Sequence, residues 1–295
     1  MRDDFAALIL THGRPERVYT IKSLLRSGYT GRWYMVVDDS DKTIDRYREM
    51  YGDEHVIVFS KDEIAKRIDE GNNTGDRRAI VYARNACWDI ARAIGVRYFM
   101  QLDDDYTSFF YRYDSMLRYG SFRVRSTMDD MLSAMIDFFE SIPASAIAMA
   151  QGGDYIGGDQ GGLTFRRKCM NSWLCSVDRP FRFFGTTNED VSAYVVHGRR
   201  GRLFGTILSP HLVQVQTQAA AGGMSDLYAK FGTYVKSMTT VLCAPSCVKV
   251  GILKDSASPH PRIHHAINGF TTYPKIVPES CAKGSRDGRA SPLDL

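Results

Sequence analysis

Asp103, Asp104 and Asp105 close a run, Val96-Arg97-Tyr98-Phe99-Met100-Gln101-Leu102, whose apolar character reads as a buried strand. Three adjacent carboxylates repel one another. A hard divalent cation such as Mn²⁺ or Mg²⁺, which prefers oxygen ligands, would offset that cost. Carboxylates at the C-terminal end of a strand in an α/β sheet also stand where such sheets hold ligands. A solvated acidic turn is the plainer alternative. Along an extended chain Asp103 and Asp105 point to one side and Asp104 to the other, which favours Asp103/Asp105 over Asp104/Asp105 as the primary pair.

Three further clusters carry chemistry-bearing groups. Asp38-Asp39-Ser40-Asp41 ends a second apolar run, Trp33-Tyr34-Met35-Val36-Val37. Thr187-Asn188-Glu189-Asp190 precedes a helical run through Val191, Tyr194 and Val195, so a carboxylate there could take a proton from an acceptor hydroxyl during group transfer. The structural alternative is that Thr187 or Asn188 caps the helix and the acids favour the positive end of its dipole. Near the C-terminus, His260-Pro261-Arg262-Ile263-His264-His265 offers imidazoles to a metal or a pyrophosphate.

Bringing these groups together requires strands that end at one edge. Phe5-Ala6-Ala7-Leu8-Ile9-Leu10 reads as a strand ending in Thr11-His12-Gly13-Arg14-Pro15. Pro15 suits a first helical turn; Val18, Ile21, Leu24 and Leu25 share a helical face between Glu16 and Ser27, and Gly28 stops it. Beyond the Trp33 strand, the pattern predicts a helix around Thr43–Met50, a strand at Val56–Phe59 and a helix around Asp62–Asp69. A polar loop, Gly71–Asp76, then leads to a helix over about Ala79–Ile94 and into the Asp103 strand. Strands alternating with helices predict a Rossmann-like, parallel, doubly wound α/β sheet with the acids along its ligand-binding edge.

A chain of 295 residues with 44% hydrophobic content can bury a large core, as one broad domain or two fused halves. No apolar run reaches transmembrane length and Met1-Arg2-Asp3-Asp4 leads straight into the first strand, so no membrane partner and a cytoplasmic location are expected. The six cysteines form no CxxC pair and read as reduced thiols, with Cys243 and Cys247 open as a metal or disulfide pair. A net charge of +4 does not by itself require a polyanionic partner. Between Gln160 and Gly205, however, Arg166, Arg167, Lys168, Arg182, Arg199 and Arg200 are interleaved with Phe165, Trp173, Phe181, Phe183 and Tyr194. That is the chemistry of phosphate contact and base stacking, unless it is a solvated basic face over an aromatic core. Six glycines within Gln151–Gly162 exclude a regular element and read as a mobile loop beside the site.

In this order Leu10-Thr11-His12-Gly13-Arg14-Pro15, Val37-Asp38-Asp39, Arg84-Asn85-Ala86, Leu102-Asp103-Asp104-Asp105-Tyr106 and Asn188-Glu189-Asp190 resemble a GT-A-fold glycosyltransferase. More narrowly the pattern resembles the TET-associated glycosyltransferases, found largely in phage and linked to glycosylation of hydroxymethylated bases in DNA. The resemblance covers roughly residues 5–275. It implies a mixed sheet whose residues 1–150 bind a nucleotide sugar, with residues 151–278 forming an acceptor and catalytic half of the same domain; the polar composition of residues 279–295 reads separately as a disordered tail.

Carried onto this chain, the resemblance implies that Thr11, His12 and Arg14 hold the uracil and ribose of a UDP-sugar, with Asp38 and Asp39 bordering the nucleoside. Arg84 and Asn85 brace the diphosphate loop. Asp103 contacts ribose or donor sugar, with Asp104 beside it, while Asp105 ligates Mn²⁺ or Mg²⁺ together with Asp103 and His264 or His265. Asp190, or its neighbour Glu189, is the base toward the acceptor. Lys236 holds phosphate or is simply a solvated helical lysine. The basic-aromatic stretch faces DNA, and 5-hydroxymethylcytosine is the leading acceptor with 5-hydroxymethyluracil second. A polysaccharide, lipid or protein acceptor, a nucleotidyltransferase, and a non-catalytic DNA-binding module are the rival readings. The donated sugar, its anomeric outcome and the oligomeric state are not legible in the residues.

Overall fold

The structure, a computed structural model, describes residues 1–71, 77–155, 163–164, 169–170, 172–215, 234, 236–253 and 262–272. Its first half alternates as expected. Strand β1 (Phe5–Leu10) is buried at every position, which is how a strand covered on both faces reads. It is followed by α1 (Tyr19–Arg26), β2 (Arg32–Asp38), α2 (Ile44–Tyr51), β3 (Val56–Phe59), α3 (Lys61–Ala65), α4 (Val81–Ala93) and β4 (Tyr98–Asp103). Strands β3, β2, β1 and β4 lie side by side and parallel. The register sets Leu10 against both Val36 and Asp103. Thr11, the Asp38 turn and the Asp103 triplet therefore leave the sheet at the same edge.

The second half continues the same sheet and makes it mixed. Strands β5 (Tyr106–Tyr113) and β6 (Tyr119–Arg123) form a hairpin. Helix α5 (Met128–Ser141), β7 (Ala144–Ala150), β8 (Leu163–Thr164), β9 (Ser172–Ser176), α6 (Glu189–Arg199) and β10 (Leu203–Gln214) follow. The sheet has ten strands, ordered β3-β2-β1-β4-β9-β7-β10-β5-β6 with β8 against β10. Strand β9 runs antiparallel between β4 and β7, so the sheet crosses position 150 without a break. A separate antiparallel pair, β11 (Val248–Leu253) and β12 (Arg262–Ile267), carries His264 and His265. The first half is the parallel, doubly wound arrangement that the alternation predicted, and the antiparallel strands of the second half make the whole the mixed, Rossmann-like α/β sheet that the resemblance implied.

Alternate residues of β1 feed two cores, as the two-residue period of a strand demands. Ala6, Leu8 and Leu10 pack with α4 and α6; Phe5, Ala7 and Ile9 pack with α1 and α5. Trp173, Phe181, Phe183 and Tyr194 belong to the first core. Trp173 and Phe183 meet edge to face at 4.9 Å, and Phe181 lies 5.1 Å from Phe204. The expectation that these rings interleave with arginines on a stacking surface is corrected: Trp173 lies on mid-sheet β9, Phe181 and Phe183 pack against it, and Tyr194 joins the same core from α6, while Phe165 lies outside the described residues. Of the basic residues, Arg182, Arg199 and Arg200 are exposed, whereas Arg166, Arg167 and Lys168 lie outside the described residues.

The single helix expected over Glu16–Ser27 is two pieces, a 3₁₀ turn at Pro15–Arg17 and α1. The break has a cause. The first amides of α1, from Tyr19 and Thr20, donate to the Asp104 carbonyl at 2.8 and 3.2 Å, using donors that a helix start leaves unpaired. Gly28 ends α1 at φ +88°, and a Cβ there would meet the Ser126 backbone at 2.7 Å. Cys243 and Cys247 are free thiols, and Cys281 lies outside the described residues, as does most of the Gly-rich stretch. Among the described residues no helix is long and apolar enough to cross a membrane.

Candidate active site

Strand β4 ends in a two-residue turn, Asp104-Asp105, rather than continuing extended. The three carboxylates nevertheless separate. Asp104 turns inward, 2% exposed, where Thr11 Oγ1 donates to its Oδ2 at 2.7 Å and Arg14 Nε lies at 2.8 Å from the same oxygen. Thr11 Oγ1 is also 2.7 Å from the Tyr47 hydroxyl, whose oxygen accepts from the Arg14 amide at 3.1 Å. Asp104 thus fastens the turn after β1 to the turn after β4. Its carboxylate is committed to that bracing, and a place beside the donor, as the resemblance implied, does not fit it.

Asp103 and Asp105 differ from it. Asp103 accepts from Arg84 Nη2 at 3.1 Å; burial, opposed by Arg84 and reinforced by Asp105 and Asp104, pushes its carboxyl up to about 7. Asp105 is half-buried, and its Oδ1 is shielded from solvent with no hydrogen-bond partner among the described residues. Burial and the neighbouring Asp104 raise its carboxyl to about 6. Crowded, underpaired carboxylates at the C-terminal edge of a sheet form the donor set that a hard cation satisfies.

Arg84 ties this edge to the second half. It lies in the second turn of α4, with Nε donating to Glu189 Oε1 at 3.1 Å. Its guanidinium stands 5.6 Å over the Phe183 ring, and Nη1 is buried without a partner among the described residues. Burial, countered by Arg84 and reinforced by Asp190, raises the Glu189 carboxyl. Asn85 clamps Phe183 from both sides: its Nδ2 donates to the Phe183 carbonyl at 2.9 Å and its Oδ1 accepts the Phe183 amide at 3.0 Å. Asn85 is therefore a brace for the segment before α6.

Asn188 occupies the N-cap position of α6, yet its side chain does not cap. Its backbone is left-handed (φ 59°), a conformation that asparagine tolerates better than most side chains. Its Nδ2 reaches Thr240 Oγ1 at 2.7 Å and His265 Nδ1 at 3.2 Å, while Thr187 Oγ1 pairs with Thr239 Oγ1 at 2.8 Å. The capping expectation is thereby corrected: both side chains are drawn to the helical segment around residue 240. His265 is thus brought beside the residue preceding Glu189. His264 turns back, its Nδ1 at 2.8 Å from the His265 carbonyl. Among the described residues no three His, Cys, Asp or Glu side chains converge as a metal cluster, so neither histidine joins Asp103 and Asp105 in this state. Lys236 is half-buried on the helical segment 236–243.

On the β1–β2 side, His12 Nδ1 sits 2.7 Å from Asp38 Oδ2, and Lys61 Nζ 2.8 Å from Asp38 Oδ1. Burial pushes Asp38 up, but His12, Lys61 and Ser40 together outweigh it and hold the carboxyl well below its usual range. The same pairing raises His12. Asp41, 5% exposed, accepts from the Gly13 amide at 2.6 Å and from Thr43. Asp38 is therefore occupied, whereas Asp39 is exposed and His12 half-exposed along the same edge. Asp41 belongs to the acid-rich turn that the sequence marks out, whereas Lys61 and Tyr47 carry no local signal.

Helix α6 separates the two ends of the second half. Eleven residues at about 1.5 Å each put Arg199 roughly 15 Å from Glu189 along the axis. Arg182 lies near that far end, its carbonyl 2.7 Å from His197 Nε2. The three exposed arginines of the expected DNA-facing stretch thus stand away from the acid edge.

Several solved structures align with the chain at low similarity. Residues 1–349 of TarS from S. aureus align over 80% of this chain at 10% identity and a TM-score of 0.42, and the aligned part is 65% of that chain. Glucosyl-3-phosphoglycerate synthase from Mycobacterium tuberculosis, in complex with Mn²⁺ and UDP-glucose, aligns over 89% of this chain and 86% of its own at 10% identity and a TM-score of 0.47. The mannosyltransferase PcManGT from Pyrobaculum calidifontis, with GDP-mannose and Mn²⁺, aligns over 83% and 74% at 10% identity and a TM-score of 0.45. No curated protein matches the chain in sequence. Kinship rests instead on residues 5–223, a span reaching from β1 past Asp190: over that length the chain belongs to the TET-associated glycosyltransferase family.

Proposed function

We propose that this glycosyltransferase moves a sugar from a UDP-sugar to the hydroxymethyl group of 5-hydroxymethylcytosine in DNA, in a reaction that requires Mn²⁺ or Mg²⁺. The reading rests on the buried Asp105 Oδ1, without a hydrogen-bond partner among the described residues, beside an Asp103 held by Arg84, at the edge where the family's donor would lie. Asp105 and Asp103 hold the cation. When bound, the cation supplies positive charge to the departing nucleoside diphosphate. The mycobacterial synthase and the archaeal mannosyltransferase are themselves crystallised with nucleotide sugars and Mn²⁺.

The chain's own residues do the remainder. His12 and Asp39 line the nucleoside edge with accessible polar groups, while Thr11, Asp38 and Asp41 keep that edge rigid through the bonds described above. Arg84 fixes Asp103 relative to α6. Asp190, in the first turn of α6, takes the proton of the acceptor hydroxyl. Glu189, whose carboxylate accepts from Arg84, is the alternative base. His265 Nδ1 lies 3.2 Å from Asn188 Nδ2, beside the residue that opens α6, and so positions that helix.

The test is direct. The protein is incubated with duplexes carrying 5-hydroxymethylcytosine, 5-hydroxymethyluracil or unmodified bases and a panel of UDP-sugars, with Mn²⁺ or with EDTA, and the digested nucleosides are weighed by mass spectrometry. A hexose-sized mass gain on 5-hydroxymethylcytosine that EDTA abolishes is expected. A gain on 5-hydroxymethyluracil alone corrects the base. Labelling of glycan, lipid or protein acceptors in place of DNA overturns the reading.

A further inference from the structure

Three arginines surround a pocket that the site just described does not use. Arg26, at the end of α1, and Arg123 and Arg125, at the end of β6, line a cavity of about 360 Å³ with Ser27, Ser108 and Val124. No carboxylate lines it, and none of these arginines has an ion pair among the described residues. Arg26 Nη2 donates to the Thr107 carbonyl at 2.7 Å and Arg123 Nη2 to Ser108 Oγ at 3.2 Å, so two guanidiniums are held in place with further N–H groups to spare.

The pocket lies at the root of the β5–β6 hairpin. Ser108 is three residues beyond Asp105, at most about 10 Å along an extended strand. Further out, Arg112 stacks over Tyr119 at 4.8 Å and over Tyr155 at 4.6 Å. Tyr119 and Phe122 are 39% and 42% exposed. At the tip, Asp114 is taken up by Arg118 at 2.6 Å. The strand order sets this hairpin at the opposite end of the sheet from β2 and β3, which carry the nucleoside-edge groups.

We propose that the arginine pocket and the β5–β6 hairpin form the surface that holds the phosphodiester backbone of the acceptor polynucleotide; this rests on the DNA reading above. Arginines without a carboxylate partner, held in a rigid fork, match phosphate oxygens, and exposed rings beside them suit contact with sugars and unstacked bases. Strand β5 spans about 27 Å. That length runs beside about eight nucleotides of one strand at a rise of about 3.4 Å each. A pocket filled by one phosphate near Asp105 would set the distance from backbone to reacting hydroxymethyl group. An acidic peptide fits less well, because carboxylates would not follow the aromatic face at regular intervals.

The experiment uses the full chain with duplex DNA carrying 5-hydroxymethylcytosine and measures affinity across salt concentrations, KM for DNA, and slow UDP-sugar hydrolysis without acceptor. The Arg26→Ala/Arg123→Ala/Arg125→Ala variant should raise KM for DNA at least tenfold. It should also flatten the salt dependence, by about 0.9 in log–log slope for each phosphate that is no longer neutralised. Acceptor-free hydrolysis should stay at the wild-type rate. Arg125→Glu, which replaces an exposed side chain without an ion pair among the described residues, should do the same with no cost in folding. Wild-type affinity and slope in both variants would overturn this surface while leaving the acceptor reading intact. A wild-type protein that binds no polynucleotide, or that binds anionic vesicles in its place, would overturn both.

Discussion

Arg84 donates from Nη2 to Asp103 at 3.1 Å with its guanidinium wholly buried, and the other arm of that planar fork reaches Glu189. One side chain therefore sets the spacing between the cation edge and the helix that carries the proposed base. Replacing it by alanine leaves two buried carboxylates without their counter-charge, and removal of one partner from such a network costs about 3–5 kcal/mol. Arg84→Ala should unfold at correspondingly lower denaturant. Arg84→Lys keeps the charge but cannot reach both acids in one plane, so it should fold while losing about a hundredfold in kcat. Wild-type turnover by the lysine variant would show that the fork is not needed.

Two adjacent aspartates should respond oppositely. Asp104→Asn weakens the bonds to Thr11 and Arg14 in a buried place and should cost about 1–3 kcal/mol of stability. Asp105→Asn removes a crowded charge whose shielded oxygen has no hydrogen-bond partner among the described residues, so the cation-free protein should be as stable as wild type or more so. Turnover should be abolished in Asp105→Asn and only reduced in Asp104→Asn. Chemical denaturation alongside an activity assay reads both. Loss of stability in Asp105→Asn with full activity would reverse the assignment.

The acid edge also sets a pH dependence. Asp103 and Asp105 are raised from their ordinary value of 3.8 to about 7 and about 6, so the folded chain keeps protons that the unfolded chain has released. Stability therefore falls as pH rises from about 4 to about 7, and the loss is complete above that. His12, raised by Asp38, adds a fall in the same direction, beginning above its ordinary value. Thermal melts of the EDTA-treated protein should show a lower midpoint at pH 7.5 than at pH 5.5. Added Mn²⁺ should restore most of the difference in wild type and little of it in Asp105→Asn. A midpoint that climbs over that range without cation would contradict the proposed state of these carboxylates.

Much of the first half is legible because its strands and helices alternate with clean periods. Phe5–Leu10 is a continuous apolar run bounded by a turn, and Val56–Phe59 is observed with the bounds expected for it. Segments of that kind declare themselves locally. The β5–β6 hairpin does not: Tyr106–Tyr113 mixes rings, hydroxyls and arginine without sustained alternation, and no Asn-Gly or Asp-Gly turn follows it.

The site was legible in its residue types and less so in their partners. That Asp104 faces Arg14 follows from the parallel register of β1 on β4, a pairing ninety positions apart that no local pattern contains. Trp173, Phe181 and Phe183 stand among arginines in the chain, and composition says nothing about which side each faces. Trp173 is buried because β9 is inserted between β4 and β7, a long-range pairing, and Phe181 and Phe183 are buried against it. The left-handed turn at Asn188 likewise depends on Thr240 and His265, far along the chain.

The central claim is that Asp105 and Asp103 hold a divalent cation together with a nucleoside diphosphate. Isothermal titration of Mn²⁺ into the protein, with and without UDP, tests it most directly, using wild type and Asp105→Asn side by side. Wild type should show a single saturable site that UDP tightens, and replacing Asp105 should lower the affinity by at least about a hundredfold. Equal Mn²⁺ binding by the two proteins, or no binding by wild type in the presence of UDP, would contradict it.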